Sequence, residues 1–399
     1  MTSMAREVIA VIGAGPAGSL AAARLARAGK RVFLFDEKLA WEKPCGGGIT
    51  HKAIVQYAFL RDAQVERNWV NECELVSPAS RRVSFHLDQP IAIFSRRTLN
   101  GLLLDRARRA GAEFIQSRVH AIEGRPGAWM LRTAHPPIEA TFIMLATGAR
   151  NPFRAQFSRP FAAGDLMATA GYYIPGTSQS MQVQFLPGLH GYIWIFPRAD
   201  HYSAGICGKL NGRSTADLRR LLETSLAAQG LGFAGAKFYA HILPALSLET
   251  LRESPLCGPG WAMIGDAAGF TDPITGEGLY YALRSADLLA DALLAGRLAS
   301  YPALLNKDFL QELEMAAGIA DRFFTGKWLG EAVTERMVQF TAHSARFRQL
   351  MCDMFSGSQG YLNLRQRLYR TLPAMLAEGA VSALGLGGHH SHFAASKAS

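Results

Sequence analysis

The sequence predicts an α/β fold with three parts: a Rossmann-like nucleotide-binding domain, an inserted antiparallel-sheet substrate domain and a helical C-terminal region. Three observations lead there. Residues 8–18 read Val-Ile-Ala-Val-Ile-Gly-Ala-Gly-Pro-Ala-Gly, an apolar strand running into a glycine turn. Some 250 residues later, Met263-Ile264-Gly265-Asp266 is followed by Asp272-Pro273-Ile274-Thr275-Gly276-Glu277-Gly278 at a helix start. Between them, from about 165 to 245, short alternating strands replace the strand-helix texture.

The first motif has a specific physics. Gly13 permits the tight turn, Gly15 lets backbone approach a pyrophosphate, and Gly18 lets the helix pack close to its strand. Pro16 and Ala17 open that helix, whose free N–H groups face an anion. Asp36 ends the next apolar run, Val32-Phe33-Leu34-Phe35, and Glu37 follows. That places a carboxylate near the ~20-residue offset expected for holding ribose hydroxyls. It suits a bare ribose and would repel a 2′-phosphate. In the second motif Gly265-Asp266 ends a strand, so the carboxylate can accept from a hydroxyl on the flavin side. Gly276 and Gly278 precede the helix starting at Leu279, whose N-terminus stabilises negative charge on a reduced isoalloxazine. One glycine turn is a weak signal, but the pair together points to FAD. No second GxGxxG exists, so electrons come from NAD(P)H binding transiently or from a small redox protein.

The remaining elements follow in order. Residues 41–53 read as a loop containing Pro44-Cys45-Gly46-Gly47-Gly48, too glycine-rich for regular structure. Residues 97–110 read as a helix, with Leu99, Leu102, Leu103 and Ala107 on one face. Strands follow near 112–116, 119–123 and 128–133, then Phe142 to Ala146 running into Thr147-Gly148. The inserted sheet takes strands 181–186, 191–197, 202–208 and 236–243, with a helix at 214–229. The expected boundaries are 1–164 and 259–300 for the FAD-binding domain, 165–258 for the substrate domain and 301–399 for the helical region. The end, Gly387-Gly388-His389-His390-Ser391-His392, reads as a polar flexible tail, and no metal site is expected.

Composition narrows the class. The chain has 399 residues, 49% hydrophobic and 19% charged, which describes a globular protein able to bury a large core. No secretory leader or membrane-spanning stretch is evident. Five scattered cysteines without a CxxC argue for a reduced compartment, and the expected location is cytoplasmic. Net charge is +10, and residues 322–370 alone carry eight basic against three acidic residues. No nucleic-acid signature accompanies it. A solvated helical face, a diphosphate or peripheral contact with the inner membrane face each account for it. Oligomeric state is left open, with a monomer plausible.

With both cofactor marks placed, residues 5–330 resemble FAD-dependent oxidoreductases of the p-hydroxybenzoate hydroxylase fold, and most closely the geranylgeranyl reductase family. Arg96-x-x-Leu99-Asn100-x-x-Leu103 matches the pattern supplying an arginine near the cofactor. Pro44-Cys45-Gly46-Gly47-Gly48 matches the family's cysteine-glycine loop, and Tyr192-Ile193-Trp194-Ile195-Phe196-Pro197 matches its YxWxFP motif. The resemblance implies cofactor contacts at Cys45, Gly46, Gly47, Arg96, Val119, Thr147 and Gly148. It also implies C=C reduction in a polyprenyl lipid, quinone or diphosphate. Thr147 stands where hydroxylases of the fold carry an acid, which weakens an aromatic-hydroxylase reading. A flavin monooxygenase or halogenase is the alternative, and a plain redox carrier or prenyl-chain binder a third.

Two features bear on chemistry. Cys45, between a proline and three glycines, can approach a planar ring without side-chain clash. An ordinary thiol is mostly protonated at neutral pH, so it can donate the proton that accompanies hydride addition to a C=C bond. Otherwise it is a small residue filling a gap. Tyr192, Trp194 and Phe196 share one face of a strand and make an aromatic wall for an apolar chain, or an ordinary core face. His190 and Arg198 flank that strand and are candidate polar ends of the pocket.

Overall fold

The computed structural model describes residues 7–328 and 330–383. The histidine-containing tail at 387–392 lies outside them.

The nucleotide-binding sheet has six strands in the order Cys257–Gly258, Trp261–Met263, Phe142–Leu145, Val8–Ile12, Arg31–Asp36, Glu113–Gln116. All neighbours run parallel except the edge pair Cys257–Gly258 and Trp261–Met263. Ile12 is in register with both Leu145 and Phe35. Parallel strands in register end on one edge, so Gly13, Asp36, Thr147 and Gly265 leave the sheet side by side. That is the crevice where doubly wound sheets bind ligands.

Helix Pro16–Arg27 packs against Arg96–Arg109 and Leu279–Leu294. Its buried face is small (Ala17, Gly18, Ala21, Ala22), which permits close approach to the strands. A β-carbon on Gly18 would sit 1.9 Å from the Gly13 carbonyl oxygen, and one on Gly13, at φ +108°, would sit 2.3 Å from the Ala146 oxygen. Both glycines are therefore required by packing, as the motif predicts.

The second sheet is larger than the strands at 181–243. Its eight strands run Lys237–Pro244, Leu166–Pro175, His201–Gly208, Gly191–Pro197, Ser180–Gln184, Asn68–Val76, Arg82–Ile93, Gly48–Ile49. Three of them precede residue 165, and one of those, Gly48–Ile49, falls inside the expected loop at 41–53. Residues from His51 then start a short helix capped by Thr50. The loop is thus shorter than expected, because the backbone after Gly47 pairs with Ala92 and Ile93. Pairing is antiparallel apart from Ser180–Gln184 against Asn68–Val76.

Period-2 alternation decides which elements cover which face. Ile193, Ile195 and Ile206 face helix Thr215–Ala228 through Leu218, Leu222 and Leu226. The opposite face carries Leu75, Phe85, Met181 and Trp194, covered by Phe347, Leu350 and Met351 of helix Ala345–Ser356. Around that helix lie Gln311–Thr325, Val333–His343 and Leu364–Ala383. The helical run expected after residue 300 is interrupted by a short hairpin, Lys327–Trp328 against Glu331–Ala332, turned by Gly330 at φ +82°. Among the described residues no helix is long and apolar enough to cross a membrane.

Candidate active site

One cavity of about 1820 Å³ runs from the nucleotide crevice to the covered face of the second sheet. Single ligand sites usually measure about 300–1,000 Å³, so this one has room for a dinucleotide and an apolar chain together. Gly13, Gly15, Pro16, Ala17, Asp36, Glu37, Thr147, Gly148 and Asp266 line the nucleotide end. Cys45, Gly46, Gly47, Arg96, Gly276 and Gly278 line the middle, and Tyr192, Trp194 and Phe196 line the far wall. Gly18 and Gly265 stand behind this lining as packing positions. Val119 follows a strand end, but its side chain is buried in the core and does not line the cavity.

The nucleotide end keeps room where backbone must approach a ligand. A β-carbon on Gly15 would meet nothing within 4 Å. Asp36 accepts from the N–H groups of Ala14 (2.8 Å) and Lys38 (3.0 Å), fixing its carboxylate at the strand end. Burial nonetheless pushes that carboxyl above its ordinary value, against the pull of both bonds. Asp266 is paired at 2.9 Å with Lys43, a residue sequence reasoning did not single out. Burial pushes Asp266 up, but Lys43, helped by Arg96, more than offsets it and holds the carboxyl below its usual range. Beside them His241 is kept neutral: burial and then the Lys43 charge lower it to about 3.

FAD fits these residues on an observation of unmet hydrogen bonding. Arg96 Nε, Thr147 Oγ1 and His241 Nε2 are buried without a partner, and all three residues line the cavity. Buried polar atoms are nearly always satisfied, so three orphans on residues lining one cavity mark a polar ligand. Thr147 carries its hydroxyl there in place of an acid.

The cysteine loop is held from behind. Arg198 Nη2 donates to the Cys45 carbonyl at 2.7 Å and Ser203 Oγ donates to it at 2.9 Å. Arg198, 1% exposed, also pairs at 2.6 Å with Glu42. Glu42 accepts as well from Ser95 Oγ and from the N–H groups of Arg96 and Arg97, at the N-terminus of the Arg96–Arg109 helix. One carboxylate therefore ties the cysteine loop to the helix that carries Arg96. The Cys45 thiol accepts from the Gly47 N–H at 3.4 Å, and the residue lines the cavity. Gly47, at φ +87°, has no room for a side chain, since a β-carbon would lie 2.0 Å from the Phe94 oxygen. Arg198 is thus a clamp under the loop, not a polar end of the pocket. His190 is not one either: it is 2% exposed, pairs with Asp321, and burial lowers it to about 4.

The aromatic residues sit as the strand period requires. The Tyr192 hydroxyl donates to the Thr275 carbonyl, pinning the wall to the loop before helix Leu279–Leu294. Beside Trp194 the cavity has a large apolar lining. Its floor is Leu75, Ile91, Met181 and Val183, and its roof is Phe323, Met337, Phe340, Phe347, Met351 and Met354. The C-terminal helices are therefore part of the site. Tyr361 seals one side, donating to the buried Asp272 carboxylate at 2.8 Å.

A family profile described as an NAD(P)-binding Rossmann-like domain matches residues 11–49. Over 322 residues the chain is 27% identical to the geranylgeranyl diphosphate reductase of Synechocystis sp., covering 72% of this chain and 75% of that one. It is 28% identical over 348 residues to the menaquinone reductase of Mycobacterium tuberculosis, covering 78% and 83%. Among solved structures, a geranylgeranyl bacteriochlorophyll reductase-like protein from Thermoplasma acidophilum superposes with a TM-score of 0.73 at 18% identity, over 92% of this chain and 99% of that one. The flavin-dependent brominase Bmp2 superposes at 0.66 and 15% identity, over 88% and 93%. The two relatives bear out the resemblance read from the motifs, whereas the two structures show the shared fold alone.

Proposed function

We propose that this geranylgeranyl reductase-like, FAD-dependent oxidoreductase saturates C=C bonds in the polyprenyl chain of a lipid, quinone or diphosphate. The observation that carries the proposal is the continuity of one cavity, from the orphaned polar atoms at Arg96 and Thr147 to an apolar chamber roofed by Met337, Met351 and Met354. A wall of aromatic and thioether side chains offers area, not hydrogen bonds, at about 25 cal/mol per Å² of apolar surface covered. That is what a polyprenyl chain can use.

Reduced FAD, when bound, supplies the hydride. The chain's own residues do the rest. Cys45 presents its thiol to the cavity and gives the adjacent carbon its proton, while Arg198 and Ser203 hold the Cys45 carbonyl so the thiol stays in place. Trp194 and Phe196 orient the chain, and the C-terminal roof excludes water. The electron donor is NAD(P)H or a small redox protein.

Val55 (65% exposed), Leu362 (43%) and Tyr369 (63%) are exposed apolar side chains that line the cavity, as do the basic residues Lys52, Arg322 and Arg365. These residues suit peripheral contact with an anionic lipid surface, from which an apolar substrate enters. Product analysis tests the function. After anaerobic reduction of the flavin, geranylgeranyl diphosphate, a geranylgeranyl lipid and menaquinone are added in turn. Gain of two hydrogens per bond in one of them supports the reading. Gain of an oxygen atom, requiring O₂, supports a monooxygenase instead.

A further inference from the structure

The loop 272–277 brings two carboxyl groups to the cavity wall, next to Thr50 at the end of the cysteine-loop segment. The Asp272 N–H donates to the Glu277 carbonyl at 2.9 Å, and the Glu277 N–H donates to Thr275 Oγ1 at 3.2 Å, so the loop closes on itself. Asp272 receives three donors: the N–H groups of Ile274 (2.8 Å) and Thr275 (3.2 Å), and the Tyr361 hydroxyl (2.8 Å). Glu277 receives one side-chain donor, Thr50 Oγ1 at 3.2 Å, and lines the cavity. Two neighbouring carboxyls in a desolvated site cannot both ionise cheaply, and donors decide which one keeps the charge. Burial raises the Asp272 carboxyl too, but three donors pull it back where Glu277 has one, so Glu277 is the carboxyl that holds the proton more readily. Burial and then the Asp272 charge push Glu277 up to about 7, while Thr50 and Lys52 pull the other way.

The site needs such a group. Each saturation consumes a proton, and a thiol that has given one must be reloaded. Cys45, Tyr192 and Glu277 line the same cavity, with the Tyr192 hydroxyl over the Thr275 carbonyl of this loop.

On the reading of the site as a prenyl-chain reductase, we propose that Glu277 is its proton reservoir, reloading Cys45 after each C=C bond is saturated. The hydride from reduced FAD forms one C–H bond and the Cys45 proton forms the other, as the π bond breaks. The Glu277 O–H then breaks to restore the thiol. The carboxylate is reprotonated from solvent on the side of exposed Lys52. The nicotinamide nucleotide or redox protein would then return the electron pair to the cofactor.

The charged and titratable groups facing Glu277 are Asp272 of its own loop, Lys52 beyond Thr50, Tyr280 and Tyr281 of the following helix, and Tyr361 of the C-terminal segment, with Glu312 beyond. Among them only Lys52 is a cation, which supplies a control. Infrared difference spectra of the FAD-loaded protein between acid and alkaline pH should show a protonated carboxyl lost with a midpoint near 7, absent in Glu277→Gln and present in Cys45→Ser. Steady-state saturation should fall as pH rises through that midpoint. Glu277→Gln should slow it about 10²-fold at unchanged flavin content, and Lys52→Gln should move the midpoint to higher pH. Saturation by Glu277→Gln with the wild-type rate and pH limb, or an unchanged carboxyl band, overturns the reservoir and leaves the reductase reading standing. Failure of the wild-type protein to saturate any prenyl substrate overturns that reading itself.

Discussion

The Phe196 ring lies so close to Gly46 that a β-carbon on Gly46 would come within 2.7 Å of it. The aromatic strand and the cysteine loop, 150 residues apart in the chain, therefore interlock at van der Waals contact. Gly46→Ala forces either the ring or the loop to move, and Arg198 and Ser203 hold the loop from behind. The expected result is a protein destabilised by about 1–3 kcal/mol, as overpacking generally costs. It retains FAD but saturates its substrate at least tenfold more slowly. Thermal unfolding and flavin content, measured beside turnover, check it.

Glu42 is the second place where one substitution has two effects. It neutralises buried Arg198 and receives the N–H groups of Arg96 and Arg97. Glu42→Gln leaves Arg198 as an unpaired buried charge, and a broken buried pair costs about 3–5 kcal/mol. The pH sign follows from the shift. Burial raises the Glu42 carboxyl, but Arg198 and the three hydrogen bonds outweigh it, so its folded-state value lies below the ordinary one. The stability it contributes is present above the ordinary carboxylate range and is lost as pH falls through the depressed value. Denaturant unfolding across acid pH should show that loss in the wild type and a flatter profile in Glu42→Gln.

Cys45→Ala should leave FAD bound and slow saturation by about 10²–10⁴-fold, the usual contribution of a positioned proton donor. Cys45→Ser keeps the size with a far weaker acid and should behave alike. A fall of less than threefold in both variants would make Cys45 a packing residue.

Membrane contact is tested at these exposed lining residues, because truncating the C-terminal helices would also remove the cavity roof. The paired change Leu362→Ser and Tyr369→Ser should weaken co-sedimentation with anionic vesicles at low salt, and raising salt should weaken that of the wild type. Indifference of the wild type to anionic vesicles would make the basic residues a solvated face.

Most of the nucleotide end was legible in the sequence because its constraints are local. Gly13, Gly15 and Gly18 act within one turn, and Asp36 follows at the next strand end. The strand Gly191–Pro197 was equally legible, since period 2 places Tyr192, Trp194 and Phe196 on one face without knowledge of the partner strands. What was missed depends on long-range contact. Lys43 meets Asp266, Arg198 meets Glu42 and Tyr361 meets Asp272 across 223, 156 and 89 residues, and no short pattern encodes such pairs. Gly48–Ile49 joined the second sheet for the same reason: its partner strand lies far along the chain. The arginines beyond residue 330 drew attention by charge, whereas the apolar face of those same helices forms the roof.

In the proposed reaction, electrons leave the reduced flavin for a C=C bond. Single-turnover reoxidation under argon tests it most directly, with the flavin absorbance followed after mixing with a geranylgeranyl substrate and the same trace recorded without substrate. The expected result is substrate-dependent reoxidation without O₂, accompanied by a product carrying two more hydrogens. Flavin that stays reduced under argon with every prenyl substrate, and reoxidises only when O₂ is admitted to yield an oxygenated product, would contradict it.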